Sequence, residues 1–489
     1  VADDVPMPVH LSKVLDGLAE NPALPAGLVR RLVRYRGGFG HVATRADLTL
    51  DVIEEILASD HHWLLHSLAL NPRLPNTARR RLTAHADPTI RAALAAGARD
   101  APRDVYERLI EDPHTQVRTY LANRDDIPAD LLARLAVDPD PQVRTTLARW
   151  WTQAPETTRR ILLTDPVDEV RAAACSTYYA RSPHPVPPPD LVTGLLADPV
   201  TRAGAVRHAI LTPQLAAQLA GDPDHQVRRQ LAEHPHLSPP VRDFLTDDPS
   251  ANVRVGIFGR RDTPEPARHR IYGDIQQSER PLTDLLDSDL DDNALLQQVE
   301  DHMALAELRY LQLDWVTADP RPHLSSPFIC FRRSAARNPA LPADAIIRLL
   351  NDDDSGVRMT MATHAPHLVD PATAERIDRE FRPEKRTTWR PADVLTFPPQ
   401  TLRRLATDPD PRMRCLAPRD VDLPVDLAER LATDPESTVR RAVAEHPNLP
   451  VHVRRALLGD PDEWVAHATA AAPTLPVTEM DRLLTLAGI

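Results

Sequence analysis

A chain of 489 residues with 42% hydrophobic residues can bury a large core, and with only 4% aromatics that core must be Leu, Ala and Val. Its 50 prolines recur at fixed offsets among periodic leucines with only 15 glycines beside them, which excludes a proline-rich disordered chain. The net charge of −12 is concentrated, because twelve acidic and two basic residues lie between Asp274 and Pro320; the nearly neutral remainder neither demands nor excludes a polyanionic ligand.

Cys175, Cys330 and Cys415 lie far apart without metal-ligand spacing, which argues against a disulfide framework and for a reducing compartment. No apolar run approaches the roughly 18 residues of a membrane span, and no signal-peptide pattern opens the sequence. The expectation is a soluble, cytoplasmic protein. Lys13 and Lys385 are the only lysines. The arginine, alanine and proline bias fits GC-rich coding, so arginine abundance alone is no sign of nucleic acid.

An internal repeat precedes every local reading. Asp112 and Asp138 are 26 residues apart, as are Asp222 and Asp248, Asp408 and Asp434, and Asp434 and Asp460. Each opens an Asp-Pro pair, followed in most units by Val-Arg, such as Val117-Arg118 or Val439-Arg440 (Met413-Arg414 after Asp408), and then by Leu121-Ala122 or Val443-Ala444. Asp-Pro reads as a helix start, the carboxylate capping backbone N–H groups and proline occupying the first turn. Val with the apolar residue four positions on forms one helical stripe. Asn71-Pro72 and His446-Pro447 break that helix, because the residue before proline avoids α geometry. Leu-Pro then starts a second helix carried by residues such as Leu131 and Leu135.

With these positions in view the sequence resembles the leucine-rich repeat variant family, whose pattern is similar to Asp-Pro-x-x-x-Val-Arg-x-x-Leu-Ala-x-Asn-Pro-x-Leu-Pro. The resemblance implies an all-α, right-handed α–α superhelix of about 15 two-helix repeats, roughly 24–27 residues each, in which α-helices alternate with shorter, partly 3₁₀ helices. It is similar in shape to HEAT and armadillo arrays. Some family members carry an iron–sulfur cluster on a cysteine-rich N-terminal segment; no cysteine precedes Cys175, so no cluster or other cofactor and no metal is expected.

Along the chain, residues 1–273 form a first run of repeats. Arg36-Gly37-Gly38-Phe39-Gly40-His41 lacks a phosphate-loop pattern and reads as an inter-repeat loop. His61, His62 and His66 share one helix, with His62 and His66 on one face, but zinc needs a third ligand that the local sequence does not supply. His208, His234 and His236 read as exposed or capping residues. Arg91, Arg118, Arg144, Arg171, Arg207, Arg228, Arg254, Arg332, Arg358, Arg414 and Arg440 form a ladder, one per repeat. Such a ladder suits the phosphates of a nucleic acid; the competing and ordinary reading pairs each guanidinium with the Asp of its own or a neighbouring repeat.

The repeat is disturbed next where Trp150-Trp151 and then Tyr178-Tyr179 replace the Asn-Pro ending, with Tyr120 in the preceding unit. Equivalent positions of stacked repeats lie side by side, so these rings suit a patch for a peptide, a base or another planar group; alternatively they fill space around an insertion at Pro183–Pro189. Residues 274–325 lose the pattern, although Leu295, Leu296, Val299 and Met303 keep helical spacing, and they read as a divergent acidic elaboration, cap-like pair or hinge. Trp315 and Asp319 there are similar to the tryptophan and aspartate pairs of HEAT-like DNA glycosylases, but Asp319-Pro320 also reads as a plain helix start. Residues 326–489 restore the repeat and end in a cap-like helix at Met480–Ile489.

The expected function is a non-enzymatic scaffold whose concave surface takes a protein or peptide, anchored near Trp150–Tyr179. The rivals are a nucleic-acid-binding or DNA-base-acting protein, and an enzyme with a pocket grafted on the solenoid near 274–325. No membrane partner is expected, and oligomeric state is not legible.

Overall fold

A computed structural model describes residues 8–35, 40–175, 185–277, 292–382 and 389–489, with the side chains of 292–298 excepted. Among these residues every regular element is helical. The repeat holding Asp138 shows why. Asp138 Oδ1 accepts the Asp140 amide at 2.9 Å, and Asp140 Oδ1 accepts the Gln142 amide at 2.9 Å. The helix Pro141–Trp150 follows, with Pro141 in its first turn, where no donor is needed. Its Val143 and Leu147 are fully buried, as are Val117 and Leu121, and Val227 and Leu231, in the same positions. Pro155 then stands at the N-cap of a second helix, Glu156–Leu163.

The Asp of Asp-Pro is therefore not usually the helix cap. The Asp that opens the repeat makes a turn two residues earlier, and the cap is the residue after its proline, as at Asp140, Asp224, Asp410 and Asp462. Asp87 and Asp198 are exceptions that cap directly. The second helices are mainly α, with 3₁₀ geometry in short stretches such as Leu135–Val137, which continues the helix Ala129–Arg134.

The chain divides into two compact units, 1–132 with 370–379 and 396–489, and 133–369 with 380–395. In the second unit the divergent segment is a layer of the core. The helix Asp292–Tyr310, 19 residues long, packs on Ala251–Gly259 and Glu265–Gln277. Ala304, Leu305 and Leu308 join Phe258, Ile271 and Phe331 in one buried cluster, while Val299 and Met303 stay exposed. Glu307 pairs with Arg229 and Glu300 takes hydrogen bonds from Ser250 and Asn252, so part of the local acidity is spent on packing contacts. Leu295 and Leu296 have side chains outside the described set.

In the first unit the helix Leu11–Glu20 packs against the helix Glu463–Ala471. Gly17 approaches so closely that an added Cβ would sit 2.2 Å from the His467 carbonyl oxygen. Arg31 binds Asp481 and the Ile489 backbone oxygen. Val14, Leu18, Ala466 and Ala470 are fully buried there. The helix Val477–Leu486, which covers most of the cap-like segment expected at Met480–Ile489, has Met480, Leu483 and Leu484 buried and packs on Ala26–Val33. An apolar repeat end is stable without a cap when another repeat covers it.

Candidate functional site

The arginines are bonded within the protein. Arg144 donates through Nε and Nη2 to both carboxylate oxygens of Asp165 at 2.7 and 3.0 Å, and through Nη1 to the Asp138 carbonyl at 2.7 Å. Arg228 holds Asp248 and the Asp222 carbonyl in the same way, and Arg91, Arg332, Arg414 and Arg440 hold Asp112, Asp352, Asp434 and Asp460. Arg171 pairs with Asp198 at 2.8 Å. Arg118 is buried and donates to the Asp112 carbonyl, and Arg254 donates to the Asp248 carbonyl, both at 2.7 Å. Each fork thus ties the turn of its own repeat to the carboxylate of the next. Burial pushes the Asp165 carboxyl up, but the Arg144 guanidinium and the Val167 amide outweigh it and hold it below the usual carboxylate range.

Arg207 does not belong to this series. Asp198 caps its helix directly, which brings Arg202 into the ladder position, donating to the Leu196 carbonyl at 2.9 Å and to Asp222 at 2.8 Å. Arg207 is left exposed, with no carboxylate partner among the described residues.

A second ladder runs through the corner where each first helix ends. Asn71 accepts the Arg73 amide at 2.9 Å and donates to the carbonyls of Ala43 and Arg45 in the preceding repeat at 3.0 and 2.9 Å. His234 and His446 do the same job, contacting the Ala209 carbonyl at 3.2 Å and the Asp420 carbonyl at 2.9 Å. Arg45, Arg124 and Arg260 serve there too, each clamped by an aspartate two residues on and donating to two carbonyls of the repeat before. Of the two roles read from sequence, exposed or capping, His234 is buried and bonds at the end of its helix, its Nδ1 accepting the His236 amide at 3.1 Å. Trp151 occupies this corner in its repeat, and Trp151 is only 6% exposed. It is a wall residue, unable to serve as a surface anchor. Trp150 is half-buried at the end of the helix, and Tyr178 and Tyr179 lie outside the described residues.

Tyr120, by contrast, is 40% exposed and lines a groove of about 410 Å³ in the first unit. The helices His62–Leu70, Pro88–Gly97 and Thr115–Ala122 lie side by side beneath it. The middle one lines it with Ala92, Ala93 and Ala96 and, at its first turn, Pro88 and Thr89, so the larger side chains of its neighbours stand up as walls along the alanines. Those walls are His66, Leu70, His114, Gln116 and Tyr120, with no Lys, Arg, Asp or Glu among the described lining residues. Burial, and then the nearby His62, push the His66 imidazole below its ordinary value, so it is neutral at pH 7. His62 is turned to Asp87 at 3.0 Å and His61 caps the helix by accepting the Leu64 amide. The alanine run Ala92–Ala96 was the sequence signal for this groove, and nothing in composition distinguished it from core.

The second unit holds a cavity of about 380 Å³ lined by Trp151, Leu162, Leu163, Ala174 and Cys175, with Pro185 to Pro187, Arg207 and His208 at its rim. Arg159 Nη1 donates to the carbonyls of Pro185 and Val186 at 3.1 and 3.0 Å, which holds the rim in place. Burial pushes the Cys175 thiol up to about 12. Trp315, whose indole N–H donates to the Gly259 carbonyl at 3.0 Å, packs edge-on against Phe331 with the Arg268 guanidinium beside both. Asp319 ends the helix Asp314–Ala318 instead of starting one, and no pocket joins it to Trp315 among those described.

Residues 438–462 match the family model Leucine rich repeat variant. No curated protein matches the chain. Among solved structures it is similar to Kap121p bound to Ste12p (14% identity, 95% of this chain and 53% of that one, TM-score 0.24). It is also similar to Kap121p bound to RanGTP (14%, 95% and 55%, TM-score 0.22) and to the Pds5–Scc1 complex (14%, 90% and 65%, TM-score 0.15). The chain spans a little over half the length of the two Kap121p chains. Among the described residues no helix is long and apolar enough to cross a membrane.

Proposed function

We propose that this array, which carries a leucine-rich-repeat-variant unit at 438–462, is a binding scaffold without a catalytic role, and that its groove in the first unit takes an uncharged, apolar peptide segment of a protein partner. The observation that carries this reading is the groove itself: an alanine floor, an exposed Tyr120 and hydrogen-bonding walls with no Lys, Arg, Asp or Glu among the described lining residues. Tyrosine supplies contact area at low entropic cost together with a polar handle, and the imidazole, amide and hydroxyl groups around it suit peptide backbone. A phosphate backbone finds no lysine or arginine among the described lining residues. The arginines that a nucleic acid would need are bonded to aspartates and carbonyls one repeat apart. A cytoplasmic location goes with this reading, the three cysteines being free thiols.

Selection from a random peptide-display library on the full chain tests it. Enrichment of uncharged, apolar sequences that no longer bind Tyr120→Ala is the expected result. Enrichment of acidic or basic sequences, or binding indifferent to Tyr120→Ala, would refute the groove as the site.

A further inference from the structure

The cavity of the second unit differs in chemistry from the groove. Ala148, Trp151, Leu162, Leu163 and Ala174 make its walls apolar. A cavity of roughly 150 Å³ holds the six carbons of benzene, so about 380 Å³ has room for roughly fifteen non-hydrogen atoms. Its rim carries two arginines and one histidine, and their states differ. Arg159 is engaged by the carbonyls of Pro185 and Val186. Arg207, displaced from the ladder by Arg202, keeps its guanidinium uncompensated among the described residues. The adjoining His208 is held neutral, by burial first and by the Arg207 charge second.

We propose that this cavity binds an apolar monocarboxylate, its body against Trp151 and the leucines and its carboxylate on the Arg207 guanidinium. A planar guanidinium recognises a carboxylate through two parallel N–H donors, and the chain uses that pairing in its own ladder, as between Arg228 and Asp248. Arg207 is the lining guanidinium with no donor spent within the described residues, whereas Arg159 gives Nη1 to the rim carbonyls, so one carboxylate has one fork to meet. An alcohol would leave that fork unused. Gly204 contributes by omission: it lies so tightly on the Cys175 carbonyl that no side chain can be placed there.

Isothermal titration of the full chain tests the proposal with two acids of about fourteen non-hydrogen atoms, 1-naphthylacetate and dodecanoate, each beside its matched alcohol, the size being set by the cavity. At least one acid should bind about tenfold or more tighter than its alcohol, the worth of a charge-assisted pair. Arg207→Gln, a change at an exposed position that should leave the thermal midpoint unaltered, should erase that preference without weakening the alcohol. Ala174→Leu should weaken acid and alcohol alike by narrowing the cavity. The proposal is overturned if neither acid binds at up to about 1 mM, or if the acid preference survives Arg207→Gln. Neither outcome bears on the groove of the first unit.

Discussion

Asn21 donates its side-chain amide to the carbonyls of Ala470 and Ala472 at 2.9 and 2.7 Å, across some 450 positions of sequence. Arg45 then donates to Ala19 and Asn21, and Asn71 to Ala43 and Arg45. The contact that joins the two ends of the sequence is thus chemically the same rung that joins consecutive repeats. Two glycines on neighbouring helices separate its energetics from helix propensity. Glycine to alanine inside a helix ordinarily stabilises by about 0.5–1 kcal/mol. Gly27→Ala, with nothing within 4 Å of the new Cβ, should show that gain in a urea titration. Gly17→Ala should instead lose about 1–3 kcal/mol, because its Cβ meets the His467 backbone. It should also speed hydrogen exchange across residues 463–471. Equal effects of the two substitutions would mean that the joint contributes nothing.

The arginine ladder makes a second contrast. Arg144→Met leaves the buried Asp165 carboxylate without its partner, and a loss of about 3–5 kcal/mol is expected. Arg160 also pairs with two carboxylates, Asp190 and Glu156, but all three side chains are substantially exposed. Arg160→Met should cost far less, because solvent screens an exposed pair. Denaturant unfolding of both variants reads the difference.

Acid should act in two stages. Burial pushes the His234 imidazole below its ordinary value. The unfolded chain therefore takes up a proton there first, and stability present above about pH 6.5 is lost as the pH falls through that range. For Asp112 and Asp434 burial raises the carboxyl, but pairing with Arg91 and Arg414 prevails and leaves it low. Their contribution persists to about pH 4 and is lost below it as the pH approaches the folded values. Because Asn71 performs the corner role of His234, His234→Asn should keep the fold and reduce the loss that begins below about pH 6.5, leaving the steeper loss below about pH 4 in place. Thermal midpoints across pH check both stages.

The helices, their apolar stripes and the Leu-Pro starts were legible in the sequence because each rests on local spacing, as at Val143 and Leu147. The bonding partners were less so. Asn71, His234 and His446 stand at one repeat position as interchangeable donors, yet Asn-Pro and His-Pro read simply as helix breakers; the Arg-x-Asp variants at Arg45, Arg124 and Arg260 hide the equivalence further. Arg207 looks like a ladder residue until Asp198 is seen to cap its own helix, a register change that spacing alone conceals. The aromatic signal pointed to Tyr120 and Trp151 alike. Packing separated them, one onto a groove wall and one into a cavity wall.

That separation yields opposite effects on stability and binding. Tyr120→Ala should change stability by less than about 0.5 kcal/mol, as expected of an exposed side chain. Trp151→Ala, at a buried position, should cost about 3 kcal/mol. The most direct measurement of the binding claim is titration calorimetry of the strongest display-selected peptide against the wild-type chain, Tyr120→Ala and Ala93→Leu, which raises the groove floor. Loss of affinity by about tenfold or more in both variants, with thermal midpoints unchanged for Tyr120→Ala, is the expected result. An affinity equal to wild type in both would place the peptide elsewhere and contradict the groove as the functional site.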